Sequence, residues 1–269
     1  MNNTITSISV AEALEKFREV NRKFPQTEGV KRYKDQGRKV IGWLCTYVPE
    51  ELILAVGGLP IRITGYDQEM ELEDGNAYLY INNCSYSRSC LQRGLRNEYD
   101  FLDGVVGGST CDGARRLFDL WRHYINPNFF HVLSVPRKMH QQAHDLYFHQ
   151  AAEFKKHLEE FSGQEITDDD MLKAISLMNE SRSLLKELYE LRKLDQPLIS
   201  GEETMEVLNG SFRMPKEDFN GYLRDLIAAL KDNAVPRKPK ARLMLIGSVM
   251  TNPQFIKSIE ELDVTVGYG

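Results

Sequence analysis

No stretch of this sequence is apolar over the length of a membrane span, and Met1-Asn2-Asn3-Thr4 opens no basic segment with an apolar run behind it. A membrane partner and an export leader are therefore not expected, and the cytoplasm is the expected compartment. Positive charge is not in excess either: 34 lysines and arginines stand against 39 aspartates and glutamates, a formal net charge of -5. That balance speaks against nucleic acid as a partner, though it leaves room for a local basic pocket around a phosphorylated ligand. Cysteine is scarce, with four residues at positions 45, 84, 90 and 111. They are too few and too dispersed for a disulfide scaffold, and no pair forms C-x-x-C, so they are free thiols or metal ligands whose case rests on position. No G-x-G-x-x-G follows a strand, which disfavours a nicotinamide cofactor. His140 and His144 stand at i, i+4 but lack the glutamate of H-E-x-x-H, and they are expected at the surface.

What is present is an ordinary globular composition, 42% hydrophobic and 27% charged, in a chain long enough for one large or two smaller domains. The chain is organised around Gly107-Gly108-Ser109-Thr110-Cys111-Asp112-Gly113, which follows an apolar run over 102–106 and precedes a helical pattern over 114–124. Further strands are expected over 40–44, 60–64 and 129–135. Helices are expected over 8–36, from Pro49-Glu50-Glu51 onward and over 86–96, while the acidic stretch 67–78 reads as surface. This alternation predicts an α/β fold: a Rossmann-like parallel sheet with helices on both faces, occupying residues 1–138. Long charged amphipathic helices over 140–162 and 168–194, a weaker one near 202–209 and another over 215–232 predict a helical domain at 139–235. Residues 236–269 carry a strand over 241–246, a turn at Gly247-Ser248, a helix over 253–262 and a strand over 264–266. A lone strand-helix-strand cannot bury both faces of its sheet, so this segment is expected to be the incomplete beginning of a second α/β domain.

Three of the cysteines share one kind of position. Cys45, Cys84 and Cys111 each fall where a strand or extended segment meets the start of a helix. There, uncapped amides and the helix macrodipole favour an anion, so a thiolate is stabilised as nucleophile or soft metal ligand. A strand-helix repeat brings its strand ends to one edge, so residues far apart in sequence can meet there and hold an iron-sulfur cluster. The alternative is three unrelated core or loop thiols, since unpaired cysteine is among the most buried residue types. Cys90 lies about 240° further round its helix than Cys84 and is expected in the core.

Glu50 and Glu51 could bring a carboxylate to the same edge as a base, or could simply complement the helix dipole at a first turn. Arg88, Arg115 and Arg116 could meet ligand phosphates there, or be solvated or paired.

The runs Val40-Ile41-Gly42-Trp43-Leu44-Cys45-Thr46-Tyr47-Val48-Pro49-Glu50-Glu51, Asn83-Cys84-Ser85-Tyr86-Ser87-Arg88-Ser89 and Ser109-Thr110-Cys111-Asp112-Gly113-Ala114-Arg115-Arg116 together resemble the 2-hydroxyacyl-CoA dehydratase D-component and benzoyl-CoA reductase family. The resemblance runs in order through the helical middle and Leu198-Ile199-Ser200-Gly201. It implies two α/β lobes around a helical segment, with a 4Fe-4S cluster on Cys84 and Cys111 and with Cys45 as a third candidate ligand. It also implies a second subunit of the same family as partner, and an electron delivered by a separate ATP-hydrolysing iron-sulfur activator. The electron would pass to the thioester carbonyl of an acyl-CoA. In dehydratases the resulting ketyl radical expels the hydroxyl; in reductase relatives an aromatic ring is reduced. Family members carry a further cysteine motif beyond the strand that here is Val264-Thr265-Val266, and the chain ends at Gly267-Tyr268-Gly269 before it. Besides the dehydratase subunit, three other expectations stand: a benzoyl-CoA-reductase-type subunit, a truncated non-catalytic relative, and a zinc-binding α/β module.

Overall fold

The structure, a computed structural model, describes residues 8–68, 70–247 and 250–268. The first residues of the chain and Ser248 of the expected turn lie outside the described residues. Contacts divide the chain into two units, one running from Glu28 to Ser176, the other joining the chain up to Thr27 with Leu177 onward. Helix α1 (Val10–Lys23) opens the second of these, with Ser9 and Glu12 forming a capping box at its start.

In the Glu28–Ser176 unit, α2 (Glu28–Asp35) leads into β1 (Val40–Leu44), whose five residues are all buried. There follow α3 (Glu50–Ala55), β2 (Leu59–Arg62), α4 (Glu73–Tyr78), α5 (Ser85–Leu95) and β3 (Gly104–Gly108). Then come α6 (Asp112–Leu120), β4 (Phe129–Leu133) and α7 (Gln141–Ser162). The four strands form one parallel sheet in the order β2-β1-β3-β4. Both faces are covered, as an all-parallel sheet requires. Val105, Phe130 and Val132 pack with Cys90 and Leu91 of α5 and with Leu117 and Phe118 of α6. On the other face Phe129 and His131 meet Phe154 of α7.

Helix α8 (Asp168–Lys193) begins in this unit and continues into the other, its first turn capped by Thr167. The other unit adds α9 (Gly201–Ser211), α10 (Lys216–Asn233), β5 (Ala241–Leu245), α11 (Pro253–Glu260) and β6 (Val264–Tyr268). Its core gathers Ala13, Leu14 and Phe17 of α1 with Leu188, Val207, Phe219, Leu223 and Leu226. Strands β5 and β6 form a parallel pair, with Val266 packed on Met205 and Ile256.

The α/β class and parallel sheet agree with the sequence expectation. Several boundaries differ, each for a packing reason. Strand β3 runs to Gly108, two residues past the expected end, because β1 pairs with it as far as Gly107 and β4 as far as Gly108. Gly107 and Gly108 are therefore strand, and the turn shrinks to Ser109 and Thr110. The acidic stretch is at the surface as expected, but it contains the short helix α4, whose Gly75 is buried so close to the Arg88 carbonyl that a Cβ would stand 2.4 Å from it. The helix expected to 124 ends as α-helix at Leu120 and closes with a π-helical turn, Trp121–Ile125, stopped by Asn126 at φ 47°. The contact division also cuts across the segments 1–138, 139–235 and 236–269. Helix α7 buries Phe154 and Leu158 in the sheet unit, whereas α1 packs with the later helices α9 and α10.

Candidate functional site

The strand order decides where chemistry can sit. The chain leaves β1 toward β2 on one side and returns to β3 on the other, which makes the carboxyl edge between β1 and β3 the switch point where open sheets of this kind have their binding crevice. Leu44 pairs with Gly107 at this edge, and the next residues of both strands line it. Cys45 stands there at φ 80°, the left-handed region that a side chain enters only at a cost of about 1–2 kcal/mol. Its Sγ lies 3.2 Å from Thr110 Oγ1, across the crevice. The Val48 N–H donates to the Cys45 carbonyl at 3.2 Å, closing the turn before α3.

Cys84 and Cys111 are the N-caps of α5 and α6. In each the sulfur takes the place of the usual capping oxygen: the Ser87 N–H donates to Cys84 Sγ, and the Ala114 N–H to Cys111 Sγ, both at 3.4 Å. Both thiols are exposed, and that of Cys45 is half-buried. The two helix starts adjoin, because a Cβ on Gly113 would stand 3.0 Å from Ser87 Oγ and 3.7 Å from Cys84 Sγ. Through Thr110 and Gly113, the Cys111 turn touches the surroundings of both other cysteines. Helix α5 is held by a buried polar net: Arg93 donates to the Gly65 carbonyl at 3.1 Å and to Glu98 at 2.8 Å, and the Tyr86 hydroxyl to the Ile63 carbonyl at 3.0 Å.

The other expected residues separate by environment. Cys90 is fully buried in the α5 face, and burial pushes its thiol up to about 12, so it stands apart from the three edge cysteines as expected. Glu50 and Glu51 are half-buried in the first turn of α3, just past Cys45. Arg88 turns back on its own loop, Nε donating to the Asn83 carbonyl at 3.1 Å and Nη1 to Asn76 Oδ1 at 2.5 Å. It thereby braces the residue before Cys84. Arg115 is exposed on α6, and Arg116 lies within 3.9 Å of Asp112 and of Asp119. His140 and His144 are exposed, His140 serving as N-cap of α7.

Three residues near the cysteines are given no role by the sequence. Ser87 and Thr110 place hydroxyls against Cys84 and Cys45. The Tyr147 hydroxyl of α7 donates to the Tyr47 carbonyl at 2.5 Å, and burial, with the negative charge of Glu51, pushes it above the usual tyrosine range. Ser87, three residues after Cys84, has a detectable N-cap spacing; Tyr147, a hundred residues from its partner, has no local signal.

Among the described residues no three His, Cys, Asp or Glu side chains converge on a point that one metal ion would occupy. A cuboidal iron-sulfur cluster takes a separate thiolate at each iron, and Cys84 and Cys111 stand at two adjoining helix starts. The donor set at this edge, three thiols and no imidazole, is the soft set such a cluster uses.

The chain matches the family described as 2-hydroxyglutaryl-CoA dehydratase, D-component, over residues 45–268. It is 31% identical over 229 residues to a subunit of the benzoyl-CoA reductase of Thauera aromatica, covering 84% of this chain and 59% of that protein. It is 27% identical over 256 residues to the beta subunit of (R)-2-hydroxyglutaryl-CoA dehydratase of Acidaminococcus fermentans, covering 94% and 67%. To the (R)-phenyllactyl-CoA dehydratase beta subunit of Clostridium sporogenes it is 25% identical over 245 residues, covering 90% and 64%. The chain thus spans about six-tenths to two-thirds of the length of these relatives.

Proposed function

Since the chain belongs to the 2-hydroxyglutaryl-CoA dehydratase D-component family, we propose that it is the iron-sulfur subunit of a cytoplasmic radical (R)-2-hydroxyacyl-CoA dehydratase. In this reading it works beside a second subunit of the same family and receives its electron from a separate ATP-hydrolysing activator. What supports the reading is that the Cys111 turn meets Cys45 through Thr110 and adjoins Cys84 and Ser87 through Gly113. A bound 4Fe-4S cluster supplies one-electron reduction of an acyl-CoA thioester carbonyl, the chemistry that lets a poorly activated hydroxyl leave as water.

The chain's own residues take the remaining roles. Cys45, Cys84 and Cys111 are the ligands, while Cys90, buried with its proton, stays out of the set. Glu50 or Glu51, on the turn after Cys45, holds or takes the substrate proton, and Tyr147 closes that turn from α7. Arg115, exposed beside Cys111, faces the phosphates of the acyl-CoA, and Arg88 keeps the Cys84 loop in shape.

The 31% identity to a benzoyl-CoA reductase subunit favours a second reading, a subunit that reduces an aromatic acyl-CoA. Anaerobic reconstitution of the purified chain with iron and sulfide tests both. A cluster with stoichiometric iron and acid-labile sulfide, lost in a Cys84→Ala, Cys111→Ala double variant, is the expected result. A folded chain with no cluster overturns the reading in favour of a non-catalytic relative, and zinc without sulfide overturns it in favour of a zinc module. Turnover with partner and activator, on a hydroxyacyl-CoA against an aromatic acyl-CoA, separates dehydratase from reductase.

A further inference from the structure

Two hydroxyl groups stand against the proposed ligand sulfurs. Ser87 Oγ lies 3.1 Å from Cys84 Sγ, and Thr110 Oγ1 lies 3.2 Å from Cys45 Sγ. Ser87 is 4% exposed and a Cβ on Gly113 would stand 3.0 Å from its Oγ, so the oxygen lies beside the sulfur rather than turned to water. Between Cys84 and Ser87 either partner can donate, whereas the neutral Cys45 thiol donates to Thr110 Oγ1, whose own proton is free to turn. A thiolate ligand has no proton to give. Once the sulfurs are ligands, the only hydrogen bond left to each pair is O–H donating to sulfur.

We infer that Ser87 and Thr110 are positioning residues that donate hydrogen bonds to the ligand sulfurs of Cys84 and Cys45 and so raise the reduction potential of the cluster. The inference rests on the functional reading above and deepens it. Adding an electron increases the negative charge on the sulfurs, so a fixed donor stabilises the reduced form more than the oxidised one. Cys111, by contrast, is met by the backbone N–H of Ala114 at 3.4 Å, a longer contact. The three ligand positions are thus electronically unequal, with the hydroxyl donors on the two cysteines outside the central turn. Outer partners of this kind tune a metal group without touching it.

The test is an EPR-monitored potentiometric titration of the full chain, reconstituted anaerobically, comparing wild type with Ser87→Ala, Thr110→Val and both together. Each substitution is expected to lower the midpoint potential at unchanged iron and sulfide content, by several-fold in the electron-transfer equilibrium. A tenfold change corresponds to about 59 mV for one electron. Thr110→Ser and Ser87→Thr, which keep the hydroxyl, are expected to restore the wild-type value. Electron-nuclear double resonance of the reduced wild-type cluster in H2O and D2O examines the same donors without substitution and should show exchangeable protons coupled to the cluster from hydroxyl distance. Wild-type potentials in loaded Ala and Val variants, a shift that the conservative variants do not reverse, or no such exchangeable protons would overturn this inference alone. Absence of any cluster in the wild-type chain would overturn the functional reading and this inference with it.

Discussion

Gly113 of α6 approaches Ser87 of α5 so closely that a Cβ on the glycine would stand 3.0 Å from the serine Oγ. The start of one cysteine-capped helix is thereby packed on the start of the other. Gly113→Ala is expected to push Ser87, the hydrogen-bond partner of Cys84, by a few tenths of an ångström. The higher helix propensity of alanine, about 1 kcal/mol, offsets the crowding in the apo chain. The melting temperature should therefore stay near wild type while iron retention after anaerobic gel filtration falls. Undiminished iron retention would show that this contact does not set the geometry of the edge.

Gly107 is a harsher case. A Cβ there would lie 1.6 Å from Phe118 Cζ, inside the ring that α6 lays on β3. Gly107→Ala should cost about 1–3 kcal/mol by overpacking, seen as a lower midpoint in urea. Adding Phe118→Leu should recover part of the loss, because the two residues are in direct contact. If the double variant is no more stable than Gly107→Ala, the clash is not where the destabilisation arises.

The φ of 80° at Cys45 predicts an unusual ranking of substitutions. Cys45→Ala keeps the strained backbone, whereas Cys45→Gly relieves it. The glycine variant should equal or exceed the alanine variant by about 1 kcal/mol in chemical denaturation, although glycine ordinarily destabilises a folded chain. Neither variant should bind the cluster as wild type does.

The thiols should differ in reactivity. Cys90 is fully buried with its thiol raised to about 12, while Cys84 and Cys111 are exposed. Iodoacetamide at neutral pH should label Cys84 and Cys111 in the folded apo chain, with Cys90 labelled only after unfolding. Peptide mapping by mass spectrometry checks the order; early labelling of Cys90 would contradict its burial.

Stability should depend on pH through His131. Burial, and then the neighbouring His157 of α7, lower its pKa to about 4, with Glu153 of the same helix opposing. Its Nδ1 lies 2.9 Å from Nδ1 of His157. The folded state therefore binds this proton less readily than the unfolded state, whose histidine titrates near 6.5. The associated stability is present above pH 6.5 and is lost as pH falls from there toward 4, on the order of 2 kcal/mol. Urea midpoints of wild type and His131→Gln measured across that window should converge at low pH; parallel curves would count against the pair.

Alternating apolar runs and amphipathic patterns are enough, in the sequence alone, to place the strand at Val40–Leu44, the long helices and the α/β class. The same patterns put Cys84 and Cys111 at helix starts and Cys90 in the core, because capping position and helical phase are local properties spanning a few residues; Cys45, expected at a helix start too, instead directly follows β1, four residues ahead of Pro49, the N-cap of α3. The ends of β3 and of α6 are not legible in this way, because packing overrides local signals there, as at Gly107 under Phe118. Only the tertiary structure decided the strand order β2-β1-β3-β4, and with it that the Cys45 turn and the Cys111 turn share one crevice. It also decided that Thr110 meets Cys45, that Gly113 meets Ser87 and that Tyr147 closes the Tyr47 turn. The physical reason is sequence separation. A crossover and a side-chain contact between residues tens of positions apart depend on pairings that exist only after collapse, and no periodicity along the chain encodes them.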